Sequence, residues 1–186
     1  MQVAGKTILL TGGTDGIGRE LAGQLKAKGA TVIVTGRTPE RIEAAKAAGY
    51  EVIAADLSSQ AGVDAILSAV MGRAIDILIN NAGLGSDHDF REAMPDLADN
   101  DRCIAANLNA PIHLITHLMP VLRARPEAMI VNVTSGLAIA PRSGGPIYCA
   151  TKAGLRSYTL ALRHQLRDTA IHVLEVLPPV VETKLT

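Results

Sequence analysis

The sequence predicts an α/β fold in which a parallel, doubly wound sheet lies between two layers of helices. Short apolar segments rich in Ile, Val and Leu alternate with helix-like segments along the chain, as is typical of a parallel sheet covered on both faces. A glycine-rich turn also joins the first strand to the first helix. Since crossover connections are right-handed, we expect a switch point between the first and fourth strands, with ligands bound at the carboxyl ends of the strands.

The first half of the chain has clear element boundaries. Its strands are predicted at 6–11, 31–35, 51–55 and 75–79, and its helices at 16–28, 39–48 and 59–71. A glycine follows each of these helices, as is common at helix C-termini. Pro39 lies at the first position of the second helix, where its missing N–H costs nothing.

The second half contains two longer helices, predicted at 100–125 and 148–168, each followed by a strand, at 128–134 and 171–177. The polar stretch 84–98 is expected to be irregular. Pro111 lies inside the first long helix and removes the N–H that the carbonyl of Asn107 would otherwise receive. A carbonyl freed in this way can hold a water molecule; a simple kink of the helix is the alternative.

Composition indicates one globular domain, residues 1–186, and excludes several classes of protein. Apolar residues make up 48% and charged residues 19% of the chain, which is typical of a packed core. With no Trp, one Phe and three Tyr, aromatic platforms for nucleic acid are not expected. Equal numbers of basic and acidic residues, 18 each, indicate no partner among nucleic acids or anionic membranes. Two cysteines and no recognisable signal peptide or spanning segment favour a cytoplasmic location.

The turn after the first strand is a candidate phosphate-binding loop. It comprises Gly12, Thr14, Asp15, Gly16, Ile17 and Gly18. Glycines allow a tight turn and a close approach of the backbone to a pyrophosphate, whose charge the helix N-terminus favours. Between a strand and a helix, this pattern predicts a Rossmann-type dinucleotide site, with a plain structural turn as the alternative.

The residues after the second and third strands bear on which dinucleotide binds. Gly36 and Arg37 stand where an NAD-preferring site carries an acidic residue for the ribose 2′-hydroxyl. A guanidinium binds a 2′-phosphate well, so NADPH is favoured over NADH; alternatively, Arg37 is a solvated loop residue. Asp56, followed by Leu57, either bonds the adenine amine or caps the next helix.

Tyr148 and Lys152 form a candidate acid/base pair. Their spacing of four residues places both side chains on one face of a helix. A Tyr hydroxyl has an ordinary pKa near 10, and a neighbouring ammonium is expected to lower it toward the working range.

Several motifs stand together in one order along the chain. They are Thr11 to Gly18, Asn80 to Gly83, Asn107, Ser135, and the pair Tyr148 and Lys152. In order and spacing, the chain from about residue 6 to 183 resembles the short-chain dehydrogenase/reductase family. Residues 148–183 are most similar to a bacterial subgroup associated with D-alanine esterification of teichoic acids.

The resemblance implies a role for each of these residues. Tyr148 would be the acid/base and Lys152 would lower its pKa and bind the nicotinamide ribose. Ser135 would polarise the substrate oxygen, with loop capping as the alternative, and Asn107 would hold a water of a proton relay. Asn81 would link strands, while Ala82 and Gly83 would leave room for the ribose. In the C-terminal segment, Pro178, Val181 and Thr183 would contact the nicotinamide amide and the phosphates.

These features predict an NADPH-dependent carbonyl reductase or alcohol dehydrogenase for a small-molecule substrate whose identity the sequence does not give. Homodimers or homotetramers would form through helices around 108–122 and 155–166. No metal is expected, although His113 and His117 are helical neighbours. Relatives continue beyond the sixth strand with a seventh strand and a substrate lid, neither of which appears here. The alternative is therefore a dinucleotide-binding sensor or assembly module with little turnover.

Overall fold

The computed structural model of the chain describes residues 1–178 and contains a six-stranded parallel sheet. Its strands are β1 (Thr7–Leu10), β2 (Thr31–Gly36), β3 (Glu51–Ala54), β4 (Ile77–Asn80), β5 (Ala128–Val133) and β6 (Ile171–Val176). Their order across the sheet is β3-β2-β1-β4-β5-β6. The strand β1 lies between β2 and β4, because Leu9 is in register with both Ile33 and Leu78. The predicted switch point between the first and fourth strands is confirmed.

Six α-helices connect the strands: α1 (Gly16–Ala27), α2 (Pro39–Ala47), α3 (Gln60–Ala69), α4 (Leu97–Ile104), α5 (Ala110–Arg123) and α6 (Pro146–Gln165). The two faces of the sheet carry separate apolar clusters. Ala22 and Leu25 of α1 pack on one face. On the other face, α3, α5 and α6 contribute, for example through Leu114 and Leu162. The predicted doubly wound α/β fold with three layers is confirmed.

The helix predicted at 100–125 is interrupted. The helix α4 begins earlier, at Leu97, because Asp96 caps it: its Oδ1 accepts a hydrogen bond from the N–H of Ala98 at 2.9 Å. A π-helical turn, Ala105–Asn109, then leads into α5. Pro111 is the second residue of α5, so the irregularity expected at this proline takes the form of a wider helical turn just before it.

Two further differences concern the segment before α6. A short 3₁₀ helix at Gly136–Ala138, absent from the sequence prediction, follows β5. The helix α6 begins at Pro146, two residues earlier than predicted, and the proline occupies a first-turn position that lacks a helical acceptor.

A chain of buried polar side chains runs from the sheet into α6. Asn80 on β4 and Asn132 on β5 are directly opposite each other. Asn80 Nδ2 donates to Asn132 Oδ1 at 2.9 Å, and Asn132 Nδ2 donates to Thr159 Oγ1 at 2.8 Å. The hydroxyl of Thr159 in turn donates to the carbonyl of Leu155 at 2.6 Å. Two adjacent strands and α6 are thus joined by directional bonds inside the apolar core.

Among residues 1–178, no helix combines the length and the hydrophobicity that are needed to cross a bilayer. Val181 and Thr183, two of the predicted cofactor contacts, lie outside the described residues, so their roles stay predictions.

Candidate active site

A cleft of about 240 Å³ opens at the carboxyl ends of β1 to β4. Twelve predicted cofactor residues line it: Gly12, Thr14, Asp15, Gly16, Ile17, Gly18, Arg37, Asp56, Leu57, Asn81, Ala82 and Gly83. Six further lining residues were not predicted: Thr35, Thr38, Arg41, Ala55, Leu84 and Ala106. Of these, Arg41 carries a charge. It lies in the first turn of α2, and its place at the start of the helix that follows β2 was the available signal.

The glycine-rich turn packs tightly against its neighbours. Gly12 has a φ of +67°, and a Cβ there would lie 2.9 Å from the Cα of Ala82. A Cβ on Gly18 would lie only 2.2 Å from the carbonyl oxygen of Gly12. A side chain at either position would force the backbone apart. The glycines therefore hold the start of α1 against the turn and the turn against the end of β4.

Asp15 occupies the N-cap position of α1, but its side chain does not cap the helix. Its carboxylate instead forms an ion pair with Arg41, at 2.7 Å between Oδ2 and a guanidinium nitrogen. Both residues line the cleft. The N-cap side chain usually accepts hydrogen bonds from the first-turn N–H groups of a helix, but Asp15 does not do so in α1.

The end of β2 faces the same cleft. A Cβ on Gly36 would lie 2.4 Å from Thr14 Oγ1, so Thr14 fills the space that a side chain at Gly36 would need. Arg37 is half exposed, with its guanidinium 4.0 Å from Asp56 Oδ1. It lines the cleft and has an acidic neighbour, and its role in binding a 2′-phosphate stays a prediction.

The surroundings of Asp56 exclude one of its two predicted roles. The N-cap of α3 is Ser59, whose hydroxyl accepts from the N–H of Gly62 at 3.2 Å. Asp56 Oδ1 accepts from the N–H and the hydroxyl of Ser58, at 3.0 and 2.8 Å. Burial raises the pKa of Asp56, but these bonds and the charge of Arg37 outweigh it and hold the pKa below its ordinary value. The helix-capping alternative for Asp56 is wrong, and its carboxylate faces the cleft as an anion.

Asn81 links two strands, as predicted. Its Nδ2 donates to the carbonyls of Thr11 and Gly12, at 3.0 and 3.3 Å. The residue after β4 is thereby tied to the residues after β1. These bonds hold the carboxyl ends of β1 and β4 together at the switch point, beside the cleft.

The side chain of Asn107, fully buried in the π-helical turn, has a structural role that sequence analysis missed. Its Oδ1 accepts from the N–H of Leu84 at 2.8 Å, and its Nδ2 donates to the carbonyl of Leu84 at 2.9 Å. Nδ2 also lies 3.1 Å from Thr151 Oγ1 on α6. The amide therefore holds the segment after β4 against α6, in addition to any role of the Asn107 carbonyl.

Lys152 extends from α6 into the interior beside the cleft. Only 3% of the residue is exposed, and its Nζ donates to the carbonyl of Val133 at 3.0 Å. Burial lowers the pKa of Lys152 to about 8. A Cβ on Gly83 would lie 3.3 Å from Asn107 Oδ1 and 3.5 Å from Lys152 Nζ. The structure thus brings the predicted ribose-facing glycine next to two of the four predicted catalytic residues.

Tyr148 is half buried at the start of α6, and the Nζ of Lys152 lies 5.7 Å from the centre of its ring. Burial raises the pKa of Tyr148 above its ordinary value, while a hydrogen-bonding interaction with Ser135 opposes this change. The expected lowering of the pKa by Lys152 is therefore wrong for this arrangement, because desolvation of the phenolate dominates. The Ser135 hydroxyl caps the 3₁₀ helix, where it accepts from the N–H of Leu137 at 3.1 Å, as the capping alternative for Ser135 predicts.

The remaining predicted residues are placed as follows. Tyr148, Lys152 and the half-buried Pro178 are outside the lining of the cleft. Within residues 1–178, no three His, Cys, Asp or Glu side chains are grouped as metal ligands would be. The site therefore has two parts: a glycine-lined cleft with two arginines, and a phenol with a serine and a buried lysine beside it.

Comparison with known proteins places this arrangement in a family. The family model described as short chain dehydrogenase matches residues 6–186. The oxidoreductase DltE of Bacillus subtilis is 40% identical over 189 residues, which cover 100% of this chain and 75% of that protein.

Two solved structures share the fold. The L-sorbose reductase of Gluconobacter frateurii, complexed with NADPH and L-sorbose, has a TM-score of 0.88 at 30% identity, over 99% of this chain and 73% of that chain. A short-chain dehydrogenase/reductase of Burkholderia phymatum, complexed with NAD, has a TM-score of 0.87 at 26% identity, over 100% and 69% of the two chains. The chain thus belongs to the short-chain dehydrogenase/reductase family of oxidoreductases and is similar to DltE.

Proposed function

We propose that this chain is an NADPH-dependent carbonyl reductase or alcohol dehydrogenase with Tyr148 as its acid/base. We infer the cofactor preference from the residues at the end of β2. Arg37 faces the cleft there, and Thr14 fills the space that an acidic side chain at Gly36 would need. Since an NAD-preferring site places a carboxylate at the end of the second strand, these two features support a preference for a cofactor with a 2′-phosphate.

The cleft fits the phosphates of a dinucleotide. Gly12 and Gly18 bring the backbone close to the start of α1, and the Asp15 carboxylate does not cap its N-terminus. Free N–H groups and the positive end of the helix dipole together favour a pyrophosphate. Asp56 and Leu57, which also line the cleft, would border the adenine.

Two guanidinium groups line this cleft, one from Arg37 and one from Arg41. Each has an acidic neighbour, Asp56 or Asp15, so neither is an isolated cation. Arg37 lies at the end of the strand, where the ribose is held in this fold, and its guanidinium is half exposed. We therefore assign the main contact with the 2′-phosphate to Arg37.

The second part of the site suits proton transfer to a carbonyl oxygen. Bound NADPH would supply the hydride. Tyr148 would donate its phenolic proton, and its raised pKa keeps that proton in place at neutral pH. Ser135 would hold the substrate oxygen beside the phenol. Lys152, whose Nζ donates a hydrogen bond to the carbonyl of Val133 at 3.0 Å, would position the nicotinamide ribose next to Gly83.

NADPH and NADH titrations in parallel test the cofactor assignment. We expect wild type to bind NADPH more tightly, because only NADPH carries the phosphate that faces Arg37. Arg37→Ala should weaken NADPH about tenfold and NADH less than about twofold, as the loss of one charge-assisted contact predicts. Lys46→Met, which removes an exposed cation that pairs with Glu43 on α2, is the matched control. Equal weakening of both cofactors by Arg37→Ala would remove this residue from 2′-phosphate recognition.

Turnover separates the enzyme from the alternative of a sensor. A panel of aldehydes and ketones with NADPH, and of alcohols with NADP⁺, should give cofactor-dependent absorbance changes. Tight binding without turnover on any member of the panel would favour the sensor. Assembly through 108–122 and 155–166 and a cytoplasmic location stay predictions, which size-exclusion chromatography with light scattering and cell fractionation can test.

A further inference from the structure

The Asp15 side chain is an anion at a position where an anion competes with the cofactor. It lines the cleft and occupies the N-cap of α1. A carboxylate at an N-cap normally accepts hydrogen bonds from the first-turn N–H groups. In the proposed function, those same N–H groups bind the pyrophosphate. An Asp15 side chain that capped its own helix would therefore occupy part of the phosphate site and repel its ligand.

A second N-cap aspartate, for which no ion pair is found among residues 1–178, caps its helix. Asp96, at the N-cap of α4, turns its Oδ1 to the N–H of Ala98 at 2.9 Å. Asp15 makes no such bond. The two residues differ in their neighbours: the carboxylate of Asp15 lies 2.7 Å from the guanidinium of Arg41.

Arg41 is placed to hold the carboxylate of Asp15. It projects from the first turn of α2 and lines the same cleft, and its side chain is only 34% exposed. A partly buried, short ion pair is held more firmly than an exposed one. The pair also connects the start of α1 to the start of α2, the two helices on either side of β2 in the chain.

We propose that Arg41 is a positioning residue that keeps the Asp15 carboxylate off the N-terminus of α1, so that the pyrophosphate of the cofactor can bind there. This inference rests on the proposed placement of the cofactor in the cleft. It differs from a role of Arg41 as a second ligand of the 2′-phosphate, because it predicts an effect on NADH, which has no 2′-phosphate. It also predicts that the effect disappears when Asp15 is removed.

A double-mutant cycle tests the inference, with binding of NADH and NADPH measured by fluorescence titration. Arg41→Met keeps the apolar stem and removes the cation. We expect it to weaken the binding of both cofactors about five- to tenfold, since a freed N-cap carboxylate would cap the helix and repel the phosphates. In an Asp15→Ala background, the same change should alter NADH binding less than about twofold. Arg41→Lys, which retains a cation, should restore part of the affinity.

Other outcomes overturn the inference. Weakening of NADPH alone by Arg41→Met would make Arg41 a 2′-phosphate ligand. Equal weakening of NADH with and without Asp15 would indicate a direct contact or a general loss of structure. Urea unfolding and Lys46→Met, on the same helix, control for that loss. If wild type binds neither cofactor, the proposed function fails and this inference fails with it. If wild type binds both cofactors but the effect of Arg41→Met does not depend on Asp15, only this inference is overturned.

Discussion

Replacement of Lys152 by Met is predicted to remove a pH-dependent cost of folding. In the folded protein, burial lowers the pKa of Lys152 from its ordinary 10.5 to about 8. Between these two values the unfolded chain binds more protons than the folded chain, so the stability of wild type rises with pH. Below about pH 8 both states carry the ammonium, and the full cost of burying it is present.

The size of the effect follows from the two pKa values. One pH unit is equivalent to about 1.4 kcal/mol, so the full interval amounts to about 3 kcal/mol. Between pH 7 and pH 10, the free energy of unfolding of wild type minus that of Lys152→Met should rise by about 2.5 kcal/mol. Tyr148 and Cys103 also titrate at high pH, but both are present in the two proteins, and their contributions cancel to first order in the difference. The bond from Lys152 to Val133 shifts the difference by an amount that does not vary over this range.

Urea denaturation followed by circular dichroism at half-unit steps of pH measures this difference. Lys28→Met, which removes an exposed lysine, is the control for the loss of one positive charge. A flat difference across the range would refute the reasoning, since it would mean that Lys152 is solvated in the folded protein. A difference that falls with pH would mean that an unrecognised anion stabilises the ammonium.

Three further substitutions test other parts of the site. Tyr148→Phe should leave NADPH affinity unchanged and lower turnover about 10³-fold, as loss of a general acid does; near-full turnover would end the role assigned to this phenol. Gly18→Ala should destabilise the chain by about 2 kcal/mol or more and impair cofactor binding, because the added Cβ would meet a backbone oxygen at 2.2 Å. Its control is Gly136→Ala, where a Cβ meets nothing within 4 Å, and similar losses in both would contradict the packing argument. Asn107→Leu should lower the free energy of unfolding in urea by about 3 kcal/mol, because the N–H and carbonyl of Leu84 both lose their partner. A loss no larger than that of a surface substitution would contradict this role of the Asn107 side chain.

Much of the fold and of the cleft followed from local sequence patterns. Apolar strands with glycine-capped helices predicted the order of elements, and parallel pairing then left little choice of topology. The glycine-rich turn predicted the cleft, because backbone geometry requires glycine there: the φ of Gly12 is +67°. Twelve of the predicted cofactor residues line that cleft, since the turn and the strand ends next to it were identified from the same local patterns.

Contacts between distant segments were not predictable in the same way. The pair of Arg41 with Asp15 depends on the rotation of α2 about its axis, which the sequence constrains weakly. The side-chain role of Asn107 depends on a π-helical turn that places its amide opposite Leu84. The pKa of Tyr148 depends on burial, and the spacing of Tyr and Lys along a helix carries no information about desolvation.

The buried chain of Asn80, Asn132 and Thr159 has a consequence for how substrate specificity can change in this protein. Apolar packing alone tolerates small sliding of a helix over a sheet, whereas hydrogen bonds between buried groups break when the donor shifts by an ångström. The helix that carries Tyr148 is therefore aligned from within the core, by Thr159 on that helix. Under the proposed function, the loops that border the phenol could then vary in length and composition without moving the proton that Tyr148 would donate. New substrates could be accommodated at the rim of the site while the geometry of that proposed proton transfer stays fixed.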